Sequence, residues 1–77
     1  MESLKRYFIR INIGDTERTV KFYFVAKDQA LSFDKQDEMF HEAVTELNHI
    51  YKDYGRFATQ VGVENLFDKY GFERTLP

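Results

Sequence analysis

The longest hydrophobic pattern in the chain is a stripe of apolar residues between Asp34 and Gly55. Its members recur at the i, i+3, i+4 and i+7 spacing that places side chains on one face of a helix. They are Phe40, Ala43, Val44, Leu47, Ile50, Tyr51 and Tyr54. Asp34 can cap the first turn, and Gly55 can take the left-handed conformation that ends a helix. The stripe therefore predicts an amphipathic helix over residues 35–54, about 30 Å long.

Two segments before this helix alternate between apolar and polar residues, which is typical of β-strands. They span residues 4–13 and 18–27 and are joined by a turn-rich connection over residues 14–17. The apolar faces must match, because a one-residue shift would turn one strand's apolar set towards solvent. The predicted pairs are Tyr7 with Phe24, Ile9 with Phe22 and Ile11 with Val20 on the core face, and Phe8 with Tyr23 and Arg10 with Lys21 on the other face.

The chain after the long helix carries weaker signals. Residues 56–61 alternate weakly, which leaves a loop and a short third strand both open. Helical spacing then returns, followed by a glycine that can stop a helix: Val63, Leu66, Phe67, Tyr70 and Gly71. This pattern predicts a short helix over residues 63–70. Residues 72–77 are predicted to be a tail that docks through Phe72 and Leu76.

These elements together predict an α+β fold in one domain over residues 1–77. Its parts are an N-terminal antiparallel β-hairpin, with a short third strand left open, packed on one long amphipathic helix and followed by a short C-terminal helix. A chain of this length buries only about 60–65% of its unfolded surface. Eight Phe and five Tyr help such a small core, because each ring buries a large area.

Composition narrows the class of protein. There is no cysteine, so neither a disulfide framework nor a cysteine-based zinc site can stabilise the chain. No apolar run approaches the roughly 18–20 residues of a membrane span, and the first residues lack the apolar run of a signal peptide. We therefore expect a cytoplasmic protein without membrane contact. The net charge of −2 is unevenly distributed, because residues 1–27 are mildly basic and residues 28–55 are acidic.

No motif for catalysis or for a cofactor stands out. The four glycines are far apart, so no glycine-rich loop can cradle a phosphate. Glu42, Glu46, His49 and Asp53 share a helix face and could hold a divalent metal. The spacing of His49 and Asp53 more commonly produces a weak pair on the helix surface than a metal site. We expect no enzyme, no cofactor and no metal site, and keep a metal-assisted enzyme as the third alternative.

One face of the long helix carries carboxylates at regular intervals. We call it the acidic ridge, and its members are Glu38, Glu42, Glu46 and Asp53. Steps of four residues rise about 6 Å along a helix, so such a row can imitate a nucleic-acid backbone and dock in a basic groove of another protein. The simpler interpretation of the same pattern is a helix face exposed to solvent. The acidic ridge is the predicted protein-binding site.

The second face of the hairpin mixes basic and aromatic residues. It carries Arg6, Phe8, Arg10, Lys21 and Tyr23, with Val25 at its margin. Arg10 opposite Lys21 is unfavourable unless an anion lies near, and exposed rings are costly on a small protein. The C-terminal segment, a second copy of the chain or a single-stranded nucleic acid could each cover this face. The chain's own C-terminal segment is expected first, because so small a domain needs the buried area.

The leading functional expectation is a small non-enzymatic protein-binding module that acts through the acidic ridge, the second face of the hairpin, or both. An acidic adaptor or inhibitor of a nucleic-acid-handling protein fits the ridge. Its partner would be a protein of unknown identity, and a homodimer is kept as a further option. The alternative is single-stranded nucleic-acid binding through the basic and aromatic sheet face. The two expectations differ in the charge of the surface that binds, acidic in the first and basic in the second.

Overall fold

The chain forms three strands and two helices around one apolar strand face. The computed structural model describes residues 4–14, 18–53 and 58–76, and for Lys52 and Asp53 it describes the backbone alone. The elements in chain order are β1 (Tyr7–Ile13), β2 (Arg18–Ala26), α1 (Phe33–Asp53), α2 (Gln60–Lys69) and β3 (Phe72–Thr75). The strands make one antiparallel sheet in the order β1-β2-β3. The predicted α+β class is confirmed.

The hairpin has the register that its hydrophobic pattern predicts. Ile9 pairs with Phe22, and Phe8 pairs with Tyr23 on the opposite face. This register is favoured because shifting the pairing by an odd number of residues would turn two fully buried phenylalanines of β2 towards solvent. The turn at residues 15–17 lies outside the described residues.

The core lies between the sheet and the two helices. It is a cluster of Phe22, Phe24, Ala26, Ala43, Leu47, Ala58, Val63, Leu66, Phe67 and Phe72. Phe24 of β2 stacks on Phe67 of α2 with ring centroids 4.3 Å apart. Since both helices contribute to this one cluster, both cover the same face of the sheet. The opposite face, which we call the open face, carries no helix in the described part of the chain.

The third strand lies at the C-terminus. Residues 72–75 pair with β2, with Phe72 opposite Ala26 and Thr75 opposite Tyr23, where a docked tail was predicted. Phe72 is fully buried as expected, but Leu76 is 82% exposed and is not docked. The segment has only four residues, too few for a readable alternation, and its strand conformation comes from pairing with the free edge of β2.

Residues 56–61 were predicted as either a loop or a third strand, and their described part contains one isolated bridge and the start of α2. Ala58 forms a single parallel bridge with Ile13, and the Gly14 amide donates to the Ala58 carbonyl at 2.9 Å. Residues 60 and 61 already belong to α2. Residues 54–57, including the predicted helix stop at Gly55, lie outside the described part of the chain.

Both helices begin earlier than their apolar stripes indicate. The cap of α1 is Ser32 and not Asp34, because the Ser32 hydroxyl accepts a hydrogen bond from the Lys35 amide at 3.2 Å. Thr59 caps α2 in the same way, accepting from the Gly62 amide at 3.0 Å. The apolar residues of these first turns, Phe33 and Val61, are exposed and lie off the buried stripes, so only the caps mark these starts. Within the described ranges, neither helix is long and apolar enough to cross a membrane.

A polar cluster joins the segment before β1 to the first turns of α1. Lys5 lies 2.7 Å from an Asp37 oxygen, and the Tyr7 hydroxyl donates to the same oxygen. Hydrogen bonds from Lys5 and Tyr7 lower the pKa of the Asp37 carboxyl. Burial, together with the bond to Asp37, raises the pKa of the Tyr7 hydroxyl. The cluster therefore holds the N-terminal segment on α1 most firmly when Asp37 is ionised.

Leu47→Ala should destabilise the protein by about 2–5 kcal/mol, because it empties a core position that is only 6% exposed. Urea unfolding followed by circular dichroism measures the loss. Asn48→Ala is the control, since Asn48 is exposed on the same helix and should change stability by less than about 0.5 kcal/mol. A Leu47→Ala variant as stable as the parent would show that α1 is packed in another orientation.

Asp37→Asn should lower the melting temperature at neutral pH, and the difference from the parent should shrink below about pH 4. The sign follows from the lowered pKa of Asp37, because stability from a carboxylate with a depressed pKa is lost as the pH falls through that value. Thermal melts between acidic and neutral pH test this. Asp34→Asn removes a neighbouring carboxylate that is exposed and lies outside this cluster, so it should show a smaller pH effect. A difference independent of pH would contradict the expectation.

Candidate functional site

The open face gathers four of the five basic and aromatic residues that the hairpin pattern placed together. Arg10 lies opposite Lys21, and the next row holds Phe8 opposite Tyr23. β3 extends this second row, because Thr75 pairs with Tyr23 on its other side. The fifth residue, Arg6, is exposed in the segment before β1 and belongs to no strand. The open face therefore has a basic row beside an aromatic row.

The aromatic row stays accessible. Phe8 is 55% exposed, Tyr23 is half-buried, and their ring centroids lie 6.0 Å apart. The expected coverage by the C-terminal segment is not found, since β3 pairs along the edge of β2 and lies beside these rings rather than over them. Lys21 links the two rows, because its ammonium lies 5.8 Å from the centroid of the Phe8 ring.

The basic row has no acidic counterpart in the part of the chain that is described. None of the ion pairs there involves Arg10 or Lys21. Like charges directly opposite each other on neighbouring strands repel. Glu73 is an acidic position on this face, and it pairs with Val25 on the far side of the aromatic row. An anionic ligand over Arg10 and Lys21 would relieve this repulsion.

A groove of about 540 Å³ continues the open face past the end of β3. Its lining residues are Lys21, Tyr23, Arg74, Thr75 and Leu76. Arg74 packs its guanidinium 4.5 Å from the centre of the buried Phe22 ring and donates to Gln60 and Glu64 at 3.2 Å. Sequence reasoning missed this groove, because its last three residues lay in a segment without a strand signal.

The acidic ridge is interrupted in the structure. Glu46 is half-buried, accepts a hydrogen bond from the Tyr70 hydroxyl at 3.0 Å and lies 3.4 Å from Lys69. The bond to Glu46 raises the pKa of the Tyr70 hydroxyl. Glu38 remains exposed, 3.8 Å from Lys35. These contacts join α1 to the end of α2, so Glu46 serves the packing of the two helices.

Two further members of the ridge have different surroundings. Glu42 is exposed, and no ion pair in the described ranges involves it. The side chain of Asp53 lies outside the described part of the chain. Glu42 and Glu46 also line a shallow groove of about 600 Å³ with His41, Thr45, His49 and Tyr70. Among its described side chains, the ridge thus presents two exposed carboxylates, Glu38 and Glu42, with Glu46 drawn into the contact between the helices.

The two histidines lie far apart on α1. His41 and His49 are both exposed on α1, and eight residues of helix separate them by about 12 Å along the axis. A zinc ion needs its ligands at about 2 Å. Among the residues that the structure describes, no group of three histidine or acidic side chains could hold a metal ion.

Comparisons with known proteins leave the function to be argued from these surfaces. No protein-family model, no curated protein and no solved structure matches the chain. The open face and the acidic ridge are the two candidate interaction surfaces, and their contacts and charges distinguish them.

Proposed function

We propose that this protein is a non-enzymatic binding module whose open face binds single-stranded nucleic acid. The observation that carries the proposal is the accessible Phe8 ring beside Tyr23, next to Arg10 and Lys21, which form no ion pair with any described residue. Aromatic side chains can stack on bases of any sequence, and cations beside them can neutralise the phosphates. The sequence alone favoured a protein partner, on the acidic ridge, on this face or on both, over a nucleic acid.

The acidic net charge of the chain does not oppose this proposal. The exposed carboxylates Glu38 and Glu42 lie on α1, whereas the open face is on the other side of the sheet. A helix is about 10 Å across, and charges further apart than about 8 Å are largely screened at physiological ionic strength. A ligand on the open face would therefore meet mainly the local positive charge. A cytoplasmic location remains part of the proposal.

The protein should bind a labelled oligothymidylate of about twelve nucleotides at low salt, and Phe8→Ala should weaken this binding by about 1–3 kcal/mol. Lys21→Ala should reduce the slope of log K against log salt by about 0.7, because one phosphate contact is lost. Fluorescence anisotropy at several salt concentrations measures both changes.

Two matched variants on the helix layer serve as controls for that experiment. Phe33→Ala removes a ring that is 49% exposed at the start of α1, and Lys35→Ala removes an exposed cation from the same helix. Both should leave oligonucleotide binding unchanged. The proposal fails if the parent shows no binding at low salt, where electrostatic attraction is strongest.

A protein partner on the acidic ridge is the second candidate function. It is supported by the exposed carboxylates Glu38 and Glu42 and by the groove of about 600 Å³ beside them. Such a partner would present a basic surface, since complementary charge speeds association and fixes orientation. An adaptor or inhibitor of a nucleic-acid-handling protein fits this description.

The double variant Glu38→Gln and Glu42→Gln should weaken capture of any such partner and reduce its salt dependence while the fold stays intact. A quantitative pull-down from nuclease-treated lysate compares the variant with the parent. Asp34→Asn with Glu73→Gln removes the same number of exposed carboxylates elsewhere and should have no effect. Equal capture by all three proteins would limit the acidic ridge to a solvated helix face.

A further inference from the structure

We infer that a bound strand crosses the sheet from Phe8 over Tyr23 into the groove at the end of β3, so that the smallest complete ligand has about three nucleotides. This inference rests on the proposed function and adds the direction, the length and the orientation of the ligand. It follows from the row of side chains across the three strands, the position of the charges and the groove beside β3.

The aromatic row runs perpendicular to the strands. Phe8, Tyr23 and Thr75 are direct neighbours on β1, β2 and β3, and adjacent strands lie about 4.8 Å apart. The ring centroids of Phe8 and Tyr23 are 6.0 Å apart and tilted by 33°. One base can therefore stack on each ring, and the strand advances by one nucleotide for each β-strand it crosses.

The groove provides the third position. A volume of about 540 Å³ falls within the range of about 300–1,000 Å³ that holds small organic ligands. Tyr23 forms one side, and the Thr75 hydroxyl can both donate and accept a hydrogen bond with the edge of a base. Leu76 is 82% exposed and supplies an apolar wall. A base leaving the Tyr23 ring would thus meet both a polar contact and an apolar surface.

The charges orient the ligand. Arg10 and Lys21 lie on one side of the aromatic row, and Glu73 lies on the other side. Phosphates would be repelled by Glu73 and attracted by the basic pair. Arg74 lines the end of the groove, but it is opposite Phe24 in the sheet, and its guanidinium lies against Phe22 and Glu64 on the helix side. The positive charge on the open face is therefore that of Arg10 and Lys21. The phosphate backbone therefore follows the basic side while the bases cover the rings.

A length series of oligothymidylates from about two to six nucleotides tests this path by NMR titration at low salt. Affinity should rise steeply up to about three nucleotides and only slowly beyond, because a fourth nucleotide meets neither a ring nor the groove. Leu76→Glu should weaken binding of the ligands with three or more nucleotides roughly tenfold and leave the dinucleotide unchanged. The side chain is exposed, so a thermal melt of this variant should match that of the parent.

The control and the alternative outcomes separate this inference from the proposed function. Asn48→Glu makes the same charge change on the exposed side of α1 and should bind every length as the parent does. If long oligonucleotides bind but Leu76→Glu binds them equally well, the path is wrong and the proposed function stands. If no length binds, both are wrong. If an acidic peptide binds more tightly than any oligonucleotide and depends on Phe8, the occupant is a protein segment, and both are overturned.

Discussion

Burial of the apolar face of β2 is the constraint on which the rest of the structure depends. β2 is the central strand, and its Phe22 and Phe24 are fully buried. Phe24 stacks on Phe67 of α2, and Leu47 of α1 belongs to the same cluster. This one face therefore fixes the register of β1 and provides the surface that both helices cover. The remaining edge of β2 pairs with β3. A small chain has little other apolar area to hold its layers together.

Within the described part of the chain, the same constraint leaves Phe8, Arg10 and Lys21 on the open face without a covering helix. Both helices are needed to bury one side of the sheet, and the remaining C-terminal segment widens the sheet as β3. Phe8 and the pair of Arg10 and Lys21 then face solvent, although exposed rings and opposed cations are unfavourable in isolation. These costs are consistent with selection for binding, because an anionic ligand with flat bases would relieve both of them.

Charge is separated between the two layers of the structure. Carboxylates of α1 are used in part to hold the fold together, as Asp37 binds Lys5 and Tyr7, and Glu46 binds Tyr70. The bond to Tyr70 draws Glu46 out of the exposed part of the acidic ridge, and both sets of contacts join distant segments of the chain. The basic row of the open face makes no such contacts in the described ranges, so its charge remains available to a ligand.

The hydrophobic period by itself determined the hairpin, its register and the buried stripe of α1, because each depends on which side chains share a face. It also placed Phe8, Tyr23, Arg10 and Lys21 together on one face of the hairpin. Tertiary structure alone decided that the C-terminal segment becomes β3, that Glu46 turns inward and that a groove forms beside Thr75. These features arise from contacts between residues more than twenty positions apart in the chain. A local sequence pattern does not predict such contacts.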